Sequence, residues 1–245
     1  MKQAHILLDK TINAKYAILP GDPARLDHIK KYLDNPKELS SNREYRSLLG
    51  TYKGVTILSI STGIGGPSTA IAIEELYNIG VDTMIRIGSC GALQNDIEIG
   101  ELILAEGAIR HEGTSKKYIE SIYPATPDFE LFKVIKETCE SLKYHHQTGL
   151  VLTHDSFYSE DHNSLEKKWS YYGALGADLE TSTLLTIARI KKIRAASILN
   201  NVVLYGQDTS ESISSFVDGA SSAIEGEKRE ILVALEACYR MEQQR

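Results

Sequence analysis

Residues 81–91 read Val-Asp-Thr-Met-Ile-Arg-Ile-Gly-Ser-Cys-Gly. The first part is a mostly apolar run, which is typical of a strand buried on both faces of a sheet. Arg86 interrupts this run, where an unpaired charge would be costly. Residues 88–91 predict a loop of small residues that lets a ligand approach the backbone. Because ligands of open α/β sheets bind beyond the carboxyl ends of the strands, Arg86 and Ser89 could face one oxyanion. The alternative is an arginine paired with a structural carboxylate.

A second stretch has the same design. Residues 16–25 read Tyr-Ala-Ile-Leu-Pro-Gly-Asp-Pro-Ala-Arg, which predicts a short apolar strand, a glycine turn and a helix over residues 23–33. Arg25 falls in the first turn of that helix, close to its electropositive amino end. Two strand ends that each carry an arginine beside a glycine turn favour a phosphate site over a structural ion pair.

The composition limits the classes of protein to which the chain can belong. The chain has 245 residues, a net charge of −6, 42% hydrophobic residues and 24% charged residues, which fits a single α/β domain over residues 1–245. The net charge and the lack of a basic face argue against nucleic acid. Neither a membrane-spanning run nor a secretion signal is visible. Cys90, Cys139 and Cys238 are odd in number and widely spaced, which predicts a reducing cytoplasm and no disulfide framework.

The order of elements predicts the fold class. Strands alternate with helices, which indicates an α/β fold with a central, mixed β-sheet flanked by helices. The expected strands cover residues 55–60, 101–110, 150–158 and 194–205, and the expected helices cover residues 67–80, 127–142, 181–191 and 221–241. The polar stretch 159–169 is expected to be a loop, and the serine-rich stretch 206–220 a lid.

Four ordered motifs resemble the nucleoside phosphorylase I family. They are residues 21–23 with Arg25, residues 41–45, residues 61–68 and residues 86–91. The resemblance extends from His5 to about Gln207 and is strongest to uridine phosphorylases, with some features of hexameric purine nucleoside phosphorylases. It implies reversible phosphorolysis of a nucleoside to a free base and ribose 1-phosphate, in nucleoside salvage. Inorganic phosphate would be the co-substrate, no cofactor would be required, and the assembly would be a homo-oligomer, a hexamer built from dimers.

The resemblance also implies roles for individual residues. Arg86 and Glu180 match the catalytic positions. The residues that match the phosphate site are Gly21, Arg25, Arg43, Arg86 and Ser89, with Arg43 acting on the partner subunit. The residues that match the ribose site are His5, Leu179 and Glu180, with His5 reaching the neighbour's nucleoside. Glu44, Ile64 and Ser68 match the residues around a potassium ion at the dimer interface.

The base site departs from the family pattern. Phe157 matches the aromatic residue that stacks on the base. The glutamine and arginine with which uridine phosphorylases hold uracil have no counterpart, since Asp161 and Asn163 occupy the matching positions. His154 and His162 are therefore the candidate donors to uracil, because an imidazole can donate to a carbonyl.

The sequence leaves three other functions open. A purine substrate would need an acid near N7, for which Asp161 or Asp208 would have to serve. Such an aspartate needs a raised pKa, which a flexible loop does not favour, so uridine ranks first. A hydrolytic nucleosidase would not need three phosphate-binding arginines. A weakly active binding paralogue is the remaining class, because Asp178 and Leu179 replace the glutamate and methionine of the family's ribose-binding motif.

Overall fold

A computed structural model describes residues 1–207 and 221–244. The strands of this part of the chain form one mixed sheet, in the order β2-β3-β4-β1-β5-β8-β7-β6-β9. They are β1 (Tyr16–Pro20), β2 (Asp34–Asn42), β3 (Tyr45–Tyr52), β4 (Val55–Ile60), β5 (Thr83–Ala92), β6 (Leu102–Arg110), β7 (His146–Thr153), β8 (Gly176–Asp178) and β9 (Arg194–Val203). A further pairing of β5 with β9 closes five strands into a ring, from which the other four extend beyond β5. The mixed sheet predicted from the sequence is confirmed.

Helices cover both faces of this sheet. They are α1 (Arg25–Lys30), α2 (Gly66–Ile79), α3 (Thr114–Tyr118), α4 (Phe129–Leu142), α5 (His162–Tyr171), α6 (Thr181–Lys191) and α7 (Ser221–Gln243). The hydrophobic core lies in two main clusters, one containing residues of α4 and α7 and the other residues of α2 and α6. No helix of the described residues is long and apolar enough to cross a membrane.

Strands β1 and β5 lie at the centre because their sequences are apolar on both faces. Along β1, Tyr16 and Ile18 join one core cluster while Ala17 and Leu19 join the other, as the two-residue period of a strand requires. β1 pairs in parallel with both β4 and β5. This confirms the prediction that both stretches are strands buried in the middle of a sheet.

Capping and helix-terminating residues lie at the helix ends that the sequence predicts. α2 has a proline in its first turn, and Gly80 ends the helix with a φ of 103°. α4 begins after Asp128, whose carboxylate accepts a hydrogen bond from the Leu131 amide at 3.0 Å. α1 covers only the central part of the helix predicted over residues 23–33, although Leu26, Ile29 and Leu33 are all buried.

Residues 88–91 are not a loop, contrary to the sequence-based prediction. They continue β5, because Gly88 and Ser89 pair in parallel with Leu199 and Asn200 of β9, and Gly91 pairs with Ala177 of β8. Partners on two sides keep the small residues extended. Ligands can still approach this backbone closely, but from the end of a strand and not from a free loop.

The region that follows β7 also differs from the prediction. The strand runs from His146 to Thr153, because it pairs in parallel with β6 from Leu102 onwards, and it ends five residues before the predicted end at residue 158. Residues 159–169 were expected to be a loop, but α5 occupies most of this stretch. Leu165 and Trp169 pack against a small apolar cluster, which gives this polar segment one buried face. Residues 208–220, which include Asp208 and most of the expected lid, lie outside the described part of the chain.

Candidate active site

Arg86 projects from β5 into a buried cluster of charges. Its side chain is 5% exposed, and its Nε donates to Asp178 Oδ2 at 3.0 Å. Its Nη2 lies 2.5 Å from Glu180 Oε2. Burial acts to lower the pKa of Arg86, but the charges of Glu180 and Asp178 outweigh it and raise the pKa. Arg86 is therefore paired with carboxylates, which is the alternative that the sequence left open.

Gly88 explains how the Arg86 guanidinium lies flat against the strand. The two residues are two apart in β5 and therefore share a face of the sheet. A Cβ at position 88 would lie 2.6 Å from Arg86 Nη2. Glycine is thus required here by the close approach of the guanidinium to the backbone.

Arg25 reaches the same place from the first turn of α1. Its Nη2 donates to Ser89 Oγ at 3.2 Å, and its Nη1 donates to the Ile87 carbonyl at 3.4 Å. The two arginines, which the sequence places at separate strand ends, are therefore brought together on β5 near Ser89. Arg25 is buried like Arg86, with 5% of its surface exposed.

Two glutamates of α7 complete the charge cluster, and sequence reasoning missed both. Arg25 Nε donates to Glu227 Oε2 at 3.1 Å, and Arg25 Nη1 lies 3.1 Å from Glu230 Oε1. Glu230 is fully buried, and its Oε2 accepts from the Gly88 amide at 3.0 Å. Burial raises the pKa of Glu230 to about 8, although Arg25 and Arg86 act to lower it. The available signal was an acidic residue on the otherwise apolar face of the last helix, next to Ile231 and Ala234.

Glu180 lies where β8 leads into α6. Its Oε1 accepts a hydrogen bond of 2.5 Å from the Gly65 amide, at the start of α2. Burial raises the pKa of Glu180, and the Arg86 guanidinium opposes this shift. A carboxylate held in this way beside an arginine can hydrogen-bond a sugar hydroxyl close to a bound anion.

Asp178 is committed to the protein's own groups. It accepts from Thr153 Oγ1 at 2.8 Å and from Thr181 Oγ1 at 2.6 Å, in addition to Arg86. The Asp178 side chain, which is shorter than the glutamate of the family motif, therefore fixes the backbone at the start of α6. Leu179, between the two acidic residues, is buried with 7% of its surface exposed.

For Gly21, His5 and Arg43, the described contacts lie outside the charge cluster. Gly21 lies next to the turn that leads into α2, since a Cβ there would be 3.3 Å from the Gly63 carbonyl oxygen. His5 Nδ1 lies 2.7 Å from Glu75 Oε1 on α2. Arg43 is exposed in the turn between β2 and β3, with a φ of 55°. Within the described residues of one chain, neither His5 nor Arg43 forms an ion pair with the charge cluster.

The residues predicted to surround potassium lie around one turn. Ser68 Oγ donates to the Ile64 carbonyl at 3.2 Å, and the Glu44 side chain packs on Gly63. The Ile64 side chain is 79% exposed. Carbonyl, hydroxyl and carboxylate oxygens are ligands that suit a hard cation, so this donor set fits the predicted ion.

A cavity beyond the carboxyl ends of β5 and β9 adjoins the charge cluster. Its wall consists of Gly91, Ala92, Phe157, Glu166, Ala177, Val203, Leu204, Gly206 and Gln207. Phe157 thus lies where a flat ring could stack on it. The described wall is largely apolar, but the cavity has a volume of only about 20 Å³, so a heterocyclic base would enter only if the segment that carries Phe157 moved outward.

His154 and His162 lie next to Phe157 in a cluster of rings. Their own centroids are 5.4 Å apart, and those of His154 and Phe157 are 5.5 Å apart. Burial lowers the pKa of His154. Asp161, by contrast, is exposed, and a hydrogen bond with Ser159 lowers its pKa.

Fold and site together define an α/β enzyme that can hold an anion between buried arginines and beside a carboxylate and an apolar cavity. The chain belongs to the phosphorylase superfamily, whose family model matches residues 15–225. This confirms the family inferred from the four sequence motifs.

The proteins similar to this chain are named for different nucleosides, and the two solved structures share its fold. A guanosine phosphorylase of Halorubrum lacusprofundi is 36% identical, covering 96% of this chain and 98% of the relative. A uridine phosphorylase of Thermococcus kodakarensis is 43% identical, covering 80% of this chain and 75% of the relative. The crystal structure of a uridine phosphorylase from Vibrio fischeri ES114 has a TM-score of 0.91 at 44% identity, covering 98% of each chain. A purine nucleoside phosphorylase from Toxoplasma gondii has a TM-score of 0.90 at 26% identity, covering 100% of this chain and 98% of that one.

Proposed function

We propose that this protein catalyses the reversible phosphorolysis of a nucleoside, with uridine preferred, to give a free base and ribose 1-phosphate. The observation that carries the proposal is the convergence of Arg25, Arg86 and Ser89 at the end of β5, with Glu180 2.5 Å from Arg86. Phosphate and ribose sites must adjoin in such an enzyme, because the phosphate oxygen attacks the sugar carbon that carries the base.

Phosphate would bind between the two guanidinium groups. Arginine forks suit the paired oxygens of a phosphate, and buried charge-assisted hydrogen bonds are the strong ones. Gly21 and Ser89 would add contacts from the strand ends, and Arg43 would come from a second copy of the chain. Phosphate would then replace some of the carboxylates that now neutralise the arginines.

Glu180 would bind the ribose. A carboxylate can accept hydrogen bonds from both hydroxyls of a vicinal diol, and these bonds strengthen as the sugar becomes positively charged. Leu179 would pack beside the sugar, and His5 of a second copy would reach the 5′-hydroxyl. Preplaced charges of this kind supply the catalysis, so the reaction needs phosphate as co-substrate and no metal or organic cofactor.

The base would lie in the apolar cavity against Phe157. Uridine is preferred because the ionised, exposed Asp161 is not suited to hold a proton for a purine N7 at neutral pH. His154 and His162, both adjacent to Phe157, are the imidazole groups proposed to act near the base. A purine nucleoside is the second candidate, because the guanosine phosphorylase relative matches nearly the whole chain.

We further propose a hexamer built from dimers, with potassium at Glu44, Ile64 and Ser68, acting in cytoplasmic nucleoside salvage. The exposure of Arg43 supports a role across an interface, and the three free, buried cysteines support a reducing compartment. Mixing an Arg43→Ala protein with an Arg86→Ala protein should restore part of the activity, because one class of mixed sites would carry both arginines. A fully active monomer would contradict this assembly.

The deciding experiment is a panel of uridine, inosine, guanosine and adenosine, each assayed with and without phosphate. We expect base release only with phosphate, and the highest kcat/KM for uridine. Equal rates in phosphate-free buffer would indicate a hydrolase. A higher kcat/KM for guanosine or inosine would establish the purine alternative.

A further inference from the structure

We infer that His154, His162 and Glu166 form a binding site for one divalent transition-metal ion of the zinc class. One ligand atom from each of these residues lies within 4.8 Å of the other two. The three residues belong to the segment after β7 and to the first two turns of α5. The inference does not depend on which reaction the protein catalyses; while the ion is bound, His154 and His162 hold it and do not donate to the base.

The two histidines are buried without hydrogen-bond partners for most of their ring nitrogens. His154 is 2% exposed and His162 is 7% exposed. Among the described residues, His154 Nε2 and both ring nitrogens of His162 lack a hydrogen-bond partner. Buried polar atoms are normally satisfied, because a buried donor or acceptor without a partner loses its hydrogen bonds to water. Three such atoms in one cluster therefore point to a missing partner.

The protonation of His154 is set by its surroundings. Its Nδ1 lies 3.1 Å from the Ser156 carbonyl oxygen, which can only accept a hydrogen bond. Nδ1 must therefore carry the proton in the neutral ring, and Nε2 presents a lone pair. A metal-bound histidine is typically held in this way, with its second nitrogen donating to a backbone carbonyl.

The groups around that lone pair are also acceptors. His162 and Glu166 are four residues apart on α5 and face the same side, with Nε2 3.4 Å from Oε1. Nε2 forms no hydrogen bond with Glu166 at this distance, so whichever ring nitrogen of His162 carries the proton, the other presents a lone pair. Lone pairs therefore outnumber donors among these three groups, two of which are buried, and a cation can satisfy all three together.

The donor set identifies the ion. Two imidazole nitrogens and one carboxylate oxygen suit Zn²⁺ and its transition-metal neighbours better than Mg²⁺ or Ca²⁺. Metal–ligand bonds of about 2.1 Å place tetrahedral ligands roughly 3.4 Å apart, so a separation of 4.8 Å must close by about 1.4 Å. Side-chain rotation of Glu166 and a small shift of residues 154–161 would suffice. Such an ion would tie the segment that carries Phe157 to α5.

The test uses tag-free protein freed of metal with EDTA, titrated with ZnCl₂ by calorimetry and with CoCl₂ by visible absorption. We expect one ion per chain, cobalt bands typical of four- or five-coordinate nitrogen and oxygen ligands, and a rise in melting temperature of about 5–10 °C at a hundredfold excess over Kd. His162→Ala and the isosteric Glu166→Gln should each weaken binding about a hundredfold or more, with unchanged far-UV circular dichroism.

His145→Ala is the matched control, because it removes an exposed histidine beside a separate acidic cleft. It should bind Zn²⁺ as the parent does. Loss of binding in this variant, or unchanged binding in both His162→Ala and Glu166→Gln, would overturn the inference. So would the absence of stoichiometric binding at millimolar Zn²⁺. Because these measurements need neither nucleoside nor phosphate, a failure of the proposed reaction leaves their outcome unaffected.

Discussion

The charge cluster on β5 and the cavity beside Phe157 are built on different principles. In the cluster, Arg25 and Arg86 are held by strands, helix starts and four carboxyl groups. Around the cavity, Phe157 comes from the segment after β7 and Glu166 from the polar helix α5. Proteins named for uridine and for purine nucleosides share this fold with TM-scores of 0.91 and 0.90. On the proposed function, the charge cluster (the rigid end) would set the reaction class that these proteins share, and the surroundings of the cavity (the base end) would set the choice of base.

The largest effect is expected from removing the central cation. Arg86→Ala should lower kcat/KM by about 10³-fold, as the loss of a preplaced charge does. It should also lower the free energy of unfolding by about 3–5 kcal/mol, because Asp178 and Glu180 would be left buried without a counter-charge. Urea unfolding and phosphate-dependent kinetics measure the two effects. Arg43→Ala is the control: it removes an exposed arginine and should leave the free energy of unfolding unchanged. An Arg86→Ala protein as stable as the parent would show that the charge cluster is not the rigid end.

Glu180→Gln tests the contribution of the sugar site separately from that of the phosphate site. It keeps the shape but removes the charge that stabilises the sugar cation, so kcat should fall about 100-fold. The phosphate Kd should not rise, because the charge that competes with phosphate for Arg86 is also removed. Single-turnover kinetics and phosphate titration measure these quantities. Glu112→Gln is the control, because Glu112 is equally buried but bonds only to Ser115 and Ser182 among the described contacts. Parental kcat in Glu180→Gln would remove this residue from the reaction.

Phe157→Ala tests the other region. Stacking of a base on an aromatic ring contributes about 1–3 kcal/mol, so KM for uridine should rise about tenfold or more. KM for phosphate should not change, since the charge cluster is built elsewhere. Tyr158→Ala, which removes the 84% exposed neighbouring ring, should stay close to the parent in both values. A parallel rise of both KM values in Phe157→Ala would mean that the two regions are coupled.

The smallest effect concerns pH. The pKa of Glu230 is about 8, above its value of 4.5 in an unfolded chain, so this carboxyl is mainly neutral at pH 7. Its stabilising contribution is complete below pH 4.5 and is lost as the pH rises through 8. Ionisation would place a negative charge beside the phosphate, so phosphate affinity should fall severalfold between pH 7 and 9. Glu230→Gln should flatten this profile relative to the parent, and an identical profile in both proteins would contradict the assignment.

The sequence predicts the rigid end well because its signals are local. An apolar strand, a glycine and an arginine stand together at residues 16–25 and again at residues 81–91. Glu227 and Glu230 could not be found in this way, because they lie about 200 and 140 residues from the groups they contact. Only the folded chain shows that Arg86 is buried against Asp178 and Glu180 and supports stability as well as binding.

The base end is harder to predict for a physical reason. Residues 159–169 are polar enough to resemble a loop, and only tertiary packing of Leu165 and Trp169 shows that they form a helix. Residues 88–91 were read as a loop because small residues carry little strand propensity; their pairing with β8 and β9 overrides that preference. In both cases contacts distant in sequence decide the local structure.

The bond between Glu180 and the Gly65 amide has a consequence for the order in which substrates bind. In the free protein this carboxylate is already satisfied by Gly65 and Arg86, so a sugar has to exchange partners and gains little on its own. On the proposed function, phosphate would draw Arg86 towards itself and leave Glu180 with an acceptor oxygen to offer. The nucleoside should therefore bind weakly to the free protein and more tightly to its phosphate complex, which is ordered addition with phosphate first.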